Sequence, residues 1–270
     1  MNRKRRDILP GRSGGHSGKI SWFRLCGTEW LGTVSRQIES DLSGRKGNIM
    51  EKLWKRLEMQ MVQSYEGMVK ENSDVTVWNR AFETLAEIVE HGRKKYGDFA
   101  QELFILDGST DFMFDLKVWL DDYMEFLEQE EEQEQLEKVC RKLLKLFAWQ
   151  KASPSDIRFR LASSMLSLNK KKEAGDFCER WYGEDENDPA AAAALIYAWI
   201  ADRRYKDAQK VVDFWMDKEG GYTEENAEVF GAAAVLQNIF PGKGKDKVLE
   251  VKVSFLQGCD IYEENCAEPL

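Results

Sequence analysis

Apolar residues recur every three or four positions over most of the chain, which is the spacing of one helix face. Leu53, Trp54, Leu57, Met61, Tyr65 and Met68 form one such stripe, and Trp78, Phe82, Leu85 and Val89 form a second. Phe112, Leu116, Trp119, Tyr123 and Leu127 form a third, followed by Leu136, Cys140, Leu143, Leu144 and Phe147. No comparable period-two run appears before the segment VLEVKVSFL, Val248–Leu256, which is read as helix because a lone strand in an all-α chain has nothing to pair with.

Residue chemistry at the breaks supports helices. Ser153 is placed as an N-cap before Pro154, with Asp156 near the positive helix end, and Asp188 with Pro189 repeats the device. Thr223, followed by Glu224 and Glu225, opens a further helix, and Pro241-Gly242 closes it.

The later helices repeat. NKKKEAGDFCERWY, from Asn169, and RRYKDAQKVVDFWM, from Arg203, share their pattern of bulk and charge at an offset of 34 residues. At that offset Leu161 matches Leu195, Met165 matches Trp199, and Ala174 matches Ala208. Cys178 matches Val212 and Trp181 matches Trp215. Carrying the same offset upstream aligns Cys140, Leu144 and Phe147 with residues of the next hairpin, and downstream it gives a weaker match from Thr223. A single hairpin cannot bury both of its apolar faces, so neighbouring copies must cover one another.

A 34-residue helix–turn–helix unit resembles the tetratricopeptide repeat (TPR). Ala174 and Ala208 occupy that family's small position early in the second helix, and Tyr205 its aromatic turn position. Lys171 departs from the aromatic position, Ile196 departs from the small position that Ala162 fits, and Trp181 and Trp215 stand where the family has a small residue. The resemblance runs from Asp111 to Gln257 and is strong from Ser155 to Lys218. It implies an all-α fold of stacked antiparallel helical hairpins, a TPR-like right-handed solenoid, whose first helices line a concave partner-binding groove. Residues 50–110 then form N-terminal helices packing on repeats at 111–257, with 258–270 a flexible acidic tail. The family's groove positions fall on Phe159, Ser163, Leu166 and Ser167, then Ala193, Tyr197 and Ile200, with Ala227 and Gly231 after them. This set is small, apolar and uncharged, without the Lys and Asn side chains that clamp a peptide carboxylate. It suits an amphipathic helix or an extended apolar segment of a protein partner. Phe159, Leu166 and Tyr197 also suit packing on a neighbouring helix.

Charge modifies this picture at one end. Residues 1–49 hold ten Lys and Arg against four Asp and Glu, whereas the remainder carries a net charge of −15. Affinity for nucleic acid rests mainly on neutralising phosphates, so the acidic body argues against general nucleic-acid binding. Only residues 1–24 could serve as a basic arm, which keeps a nucleic-acid-associated factor as an alternative. A peptide-sensing regulator with a DNA-binding helix-turn-helix ranks below it, because the first segment is too rich in glycine for a recognition helix. Residues 1–49 read either as a disordered basic tail or as an extension ahead of a start at Met50, since Arg45-Lys46-Gly47 allows a purine-rich ribosome-binding sequence there.

Candidate chemistry is sparse. GGHSGKI at Gly14–Ile20 lacks the first glycine and the hydroxyl residue of a phosphate loop, with Ser13 and Ile20 at those positions. The five cysteines, Cys26, Cys140, Cys178, Cys259 and Cys266, form no CxxC pair and are expected to be reduced and structural. His16 and His91 have no metal-ligand partner three or four residues further on, which excludes HExxH-type sites, and His91 is read as solvated near a helix C-terminus. The dense acidic run Glu128–Glu137 is read as a solvated helix face or linker, with docking of a basic partner as the other possibility. No apolar run approaches the ~20 residues of a bilayer span, and the basic start lacks the apolar stretch of a secretory signal. The sequence therefore predicts a cytoplasmic, non-catalytic scaffold without cofactor or metal, and without membrane contact.

Overall fold

The structure is a computed structural model that describes residues 49–70, 74–108, 110, 113–217 and 223–240. The basic segment 1–48, Phe112, Pro241-Gly242, Val248–Leu256, the tail 258–270 and Cys26, Cys259 and Cys266 lie outside the described residues. Ten helices follow in order among the described residues: α1 (Ile49–Val69), α2 (Val75–Lys95), α3 (Leu103–Gly108), α4 (Leu116–Gln129) and α5 (Gln133–Leu146). Then come α6 (Ser155–Ser167), α7 (Lys171–Glu184), α8 (Pro189–Ala201), α9 (Tyr205–Met216) and α10 (Ala227–Ile239). No strand occurs among the described residues, so the all-α expectation holds there.

The described chain divides into two compact units. One comprises residues 49–132 and 141–153, the other residues 133–140 and 154–240.

In the first unit α1 packs along α2, and α3 packs on α4. Its core is aromatic. The fully buried Trp78 of α2 stacks with Trp119, Tyr123 and Phe126 of α4 at 5.5–5.7 Å, and Tyr65 of α1 meets it edge-on at 5.5 Å. Such rings carry polar handles that need partners once buried. Trp119 Nε1 donates to Ser64 Oγ at 3.3 Å, Tyr65 donates to Asp122 at 2.7 Å, and Tyr123 donates to Asn79. Burial raises the pKa of Asp122 above the usual carboxylate range, against the lowering effect of the Tyr65 hydroxyl.

Helix ends in this unit are held by one local cap and by side chains from further along the chain. Asp74 caps α2 by accepting from Thr76 N at 2.8 Å. Asp115, the residue before α4, is left-handed and makes no side-chain cap. Buried Asp107 of α3 takes over, accepting from Leu116 N at 3.0 Å and Lys117 N at 3.4 Å. At the end of α2, Arg93 donates to the carbonyls of Phe99, Ala100 and Leu146 at 2.6–3.1 Å. His91, half-buried in that part of α2, is less solvated than expected.

Gly92 is required by the same closure. A Cβ there would lie 2.2 Å from the Phe99 ring, so the helix can pass that ring only without a side chain. Gly92→Ala is expected to destabilise the chain by about 1–3 kcal/mol through overpacking, although Ala is intrinsically the better helix former. A urea titration checks this, and unchanged or increased stability contradicts the account.

Candidate partner-binding face

The second unit is built from one local device used more than once. Between α6 and α7 the chain turns through Leu168, Asn169 and Lys170; between α8 and α9 it turns through Asp202, Arg203 and Arg204. Asn169 and Arg203 are left-handed, with φ of 60° and 62°. Lys170 N and Arg204 N then reach back five residues to Met165 O at 2.9 Å and Trp199 O at 2.8 Å. This is the six-to-one hydrogen bond of a Schellman closure, which satisfies carbonyls left open at a helix end. The six residues correspond one to one at the 34-residue offset.

Within the first unit, the turn after α4 has the same form. Glu131 has φ 59°, and Glu132 N donates to Leu127 O at 2.9 Å. Glu131 and Asn169 are 38 residues apart, not 34, so the upstream alignment made from sequence is off by one helical turn. The cause is the connector before each next hairpin: residues 147–154 separate α5 from α6, while 185–188 separate α7 from α8. In the corrected register Cys140 corresponds to Cys178, Leu136 to Ala174 and Leu143 to Trp181, all buried.

Two further expectations move by a short distance. Helix α6 begins at Ser155 with Pro154 in the cap position and no side-chain cap there, so Ser153 is not the N-cap. Proline supplies its carbonyl instead, accepting from Arg158 N at 2.9 Å. Thr223 sits a turn ahead of α10, where Thr223 N donates to Asn226 Oδ1 at 2.8 Å and Asn226 N donates to Thr223 Oγ1 at 3.3 Å. That reciprocal pair closes a separate turn, and the helix starts at Ala227. Asp188 caps α8 as expected, accepting from Ala190 N at 2.9 Å and Ala191 N at 3.3 Å. It also accepts from the Ser155 hydroxyl at 2.9 Å, which ties together the starts of α6 and α8.

Helix α8, PAAAAALIYAWIA, has no polar face, and such a helix must be covered all round. It packs against α6, α7, α9 and α10. Ala191, Ala192, Ala193 and Ala194 are all buried, and their small side chains let the neighbours approach closely. The matched pairs Ala174 with Ala208, Cys178 with Val212, and Trp181 with Trp215 are likewise buried. Burial pushes the Cys178 thiol up to about 12, so it is protonated and behaves as an apolar filler.

The structure treats the groove residues in two ways. Ala193, Tyr197 and Ile200 are 0%, 6% and 4% exposed, so this part of α8 is packed between its neighbours. Phe159, Ser163 and Leu166 on α6 remain half-buried, Ser167 is exposed, and Ala227 and Gly231 on α10 are half-buried. Tyr197 bridges the row: its ring meets Phe159 edge-on at 6.4 Å, and its hydroxyl lies 3.7 Å from where a Cβ on Gly231 would stand. Burial, followed by the charge of Glu228, raises the tyrosine pKa to about 12. The phenol is therefore neutral over the physiological range.

Sequence reasoning missed a charged cluster beside this row. Glu179 of α7 accepts from Trp199 Nε1 at 2.9 Å and from Arg204, whose guanidinium lies 4.7 Å from the Trp199 ring centroid. Arg204 also pairs with Asp207 at 3.2 Å. The two donors hold the Glu179 carboxyl below its ordinary pKa. No local sequence pattern marks this cluster, because the meeting of Trp199 and Arg204 with Glu179 depends on hairpin stacking. The acidic run is also not uniformly solvated: Glu137 is buried and pairs with Lys170 at 2.6 Å.

No group of three or more His, Cys, Asp or Glu among the described residues could hold a metal ion. No described helix is long and apolar enough to cross a membrane. No family model, curated protein or solved structure matches the chain.

Two substitutions test this geometry. Ala193→Leu is expected to cost about 1–3 kcal/mol because the site is filled, whereas Ser163→Leu on the open row stays within about 0.5 kcal/mol. Thermal melts compare the two, and equal tolerance would mean Ala193 faces open space. Arg203→Gly is expected to raise stability by roughly 0.5–1 kcal/mol, because glycine relieves the left-handed strain of the turn. A lower melting temperature for that variant would contradict the turn conformation.

Proposed function

We propose that the second unit is a TPR-like stack of helical hairpins and that the chain is a non-catalytic cytoplasmic scaffold for a protein or peptide partner. One observation carries the reading: the turns after α6 and α8 share one conformation at a 34-residue interval, which supports α6 and α8 as the first helices of successive units. Packing of α8 on both α6 and α10 fits that order. The residues left partly open along this row, Phe159, Ser163, Leu166, Ser167, Ala227 and Gly231, are uncharged. A face of this composition gains most from burying apolar atoms. The partner is therefore an amphipathic helix or an extended apolar segment, seated by shape and not by charge.

The depth of the face limits what it can hold. Tyr197 fills the space between Phe159 and Gly231 up to its hydroxyl, so a partner meets a shallow row, with the α6 residues as its anchor. Phe159 and Leu166 are the apolar contacts of that anchor.

The test is affinity capture from native lysate with the full chain, a Phe159→Asp/Leu166→Asp variant and a Lys172→Ala variant at an exposed α7 position. The reading expects one partner to be retained by the parent and Lys172→Ala forms and reduced at least tenfold by the double variant, with circular dichroism unchanged. Equal capture by all three overturns the assignment of this face.

A further inference from the structure

The hydroxyl groups buried among the described residues are satisfied by the chain itself, with one exception. Tyr65 donates to Asp122 at 2.7 Å and Tyr123 donates to Asn79. Ser64, Thr84 and Ser164 donate to the carbonyls of Met61, Arg80 and Leu161 at 2.7–2.9 Å. Tyr197 is only 6% exposed, yet its hydroxyl makes no hydrogen bond among the described residues. An unpaired polar group on a buried side chain costs free energy, so the exception calls for a cause.

That hydroxyl is not sealed in the core. It faces Gly231 across the row, where a Cβ would stand 3.7 Å from it and meet no other described residue outside its own helix within 4 Å. Glycine therefore leaves open a space that alanine would begin to fill, the usual device where a backbone must approach closely. The ring beneath is held edge-on by Phe159 at 6.4 Å. The result is a hydrogen-bond donor fixed in place at the open side of the row, which binding need not order first.

Charge limits what this donor can meet. Glu228 stands one turn before Gly231 on the same face of α10, and its charge reaches the phenol. A carboxylate brought to the hydroxyl is repelled there, which disfavours an acidic side chain or a chain end. The neutral acceptor that every residue carries is its main-chain carbonyl. A helix commits those carbonyls to its own i to i−4 bonds. An extended segment leaves them unpaired, and its side chains on one face stand about 6–7 Å apart, on either side of the carbonyl between them.

We propose that Tyr197 selects the partner of this face: its hydroxyl donates to a main-chain carbonyl, and the occupant is an extended, uncharged segment of a protein chain lying over Gly231. The inference rests on the partner-binding reading given above. Phe159 and Leu166 then receive alternate apolar side chains, while Tyr197 reads the backbone without regard to sequence.

Random peptides of about sixteen residues, long enough to bind either as a helix or extended, are displayed on phage and selected on the full chain. The best binder is synthesised, and its Kd is measured by fluorescence anisotropy for the parent, Tyr197→Phe, Gly231→Ala and Phe159→Asp/Leu166→Asp. Tyr197→Phe and Gly231→Ala are each expected to weaken binding about three- to tenfold, the range of one lost hydrogen bond, with unchanged melting temperatures. Replacing single peptide amides by esters weakens each carbonyl as an acceptor, and one such position should lose its effect on Tyr197→Phe. Equal binding by Tyr197→Phe, no ester position coupled to it, or a helical circular-dichroism signal from the bound peptide overturns the inference. In those cases loss of binding by the double variant leaves the face itself standing. Peptides that bind the double variant as well as the parent, or a selection that returns none, overturn the inference and the reading of the face together.

Discussion

The second unit depends on the absence of a polar face on α8. Every side of that helix loses free energy by remaining in water, and burial contributes roughly 1.5–3 kcal/mol for each large apolar side chain such as Leu195 or Ile196. The alanine run lets four helices pack closely around it. Coverage on all sides is also what a repeat of hairpins provides to its inner first helix. The composition of α8 and the stacking order are therefore one constraint seen at two levels.

The first unit meets its constraint differently. Its core is a set of large rings around Trp78; Ser64, Asp122 and Asn79 offset the cost of burying the polar ends of Trp119, Tyr65 and Tyr123, whereas Trp78 Nε1 is buried without a partner. Its helix ends rely on Asp107 and Arg93, which reach across the fold to cap groups they are not adjacent to in sequence. Such contacts have no period along the chain, so no repeat could reveal them.

That difference explains what was legible. The helix stripes were readable because 3.6-residue periodicity is a local property, and Asp188-Pro189 was readable because capping acts within one turn. The match of Ala174, Cys178 and Trp181 with Ala208, Val212 and Trp215 was readable because both hairpins use the same connector and turn lengths. The upstream hairpin was placed one turn out because residues 147–154 lengthen its connector, and helical spacing tolerates a four-residue slip without losing its apolar match. The groove was only partly legible. Sequence placed Phe159, Tyr197 and Gly231 on one row, but whether Tyr197 lines that row or fills it depends on how closely α10 approaches, which the small residues of α10 decide. Asp188 and Ser155 were each visible, yet their hydrogen bond needed the two helix starts to be brought side by side.

The contrast between the uniform turns and the unequal connectors has a consequence for how this chain tolerates change. The turn fixes three backbone conformations and a five-residue reach, so an insertion there breaks the closure. The stretch leading to the next hairpin carries no such requirement, and it already differs twofold in length between 147–154 and 185–188. Length variation among descendants of such a chain should gather in those stretches, where extra residues shift the numbering of everything downstream but leave each hairpin as it was.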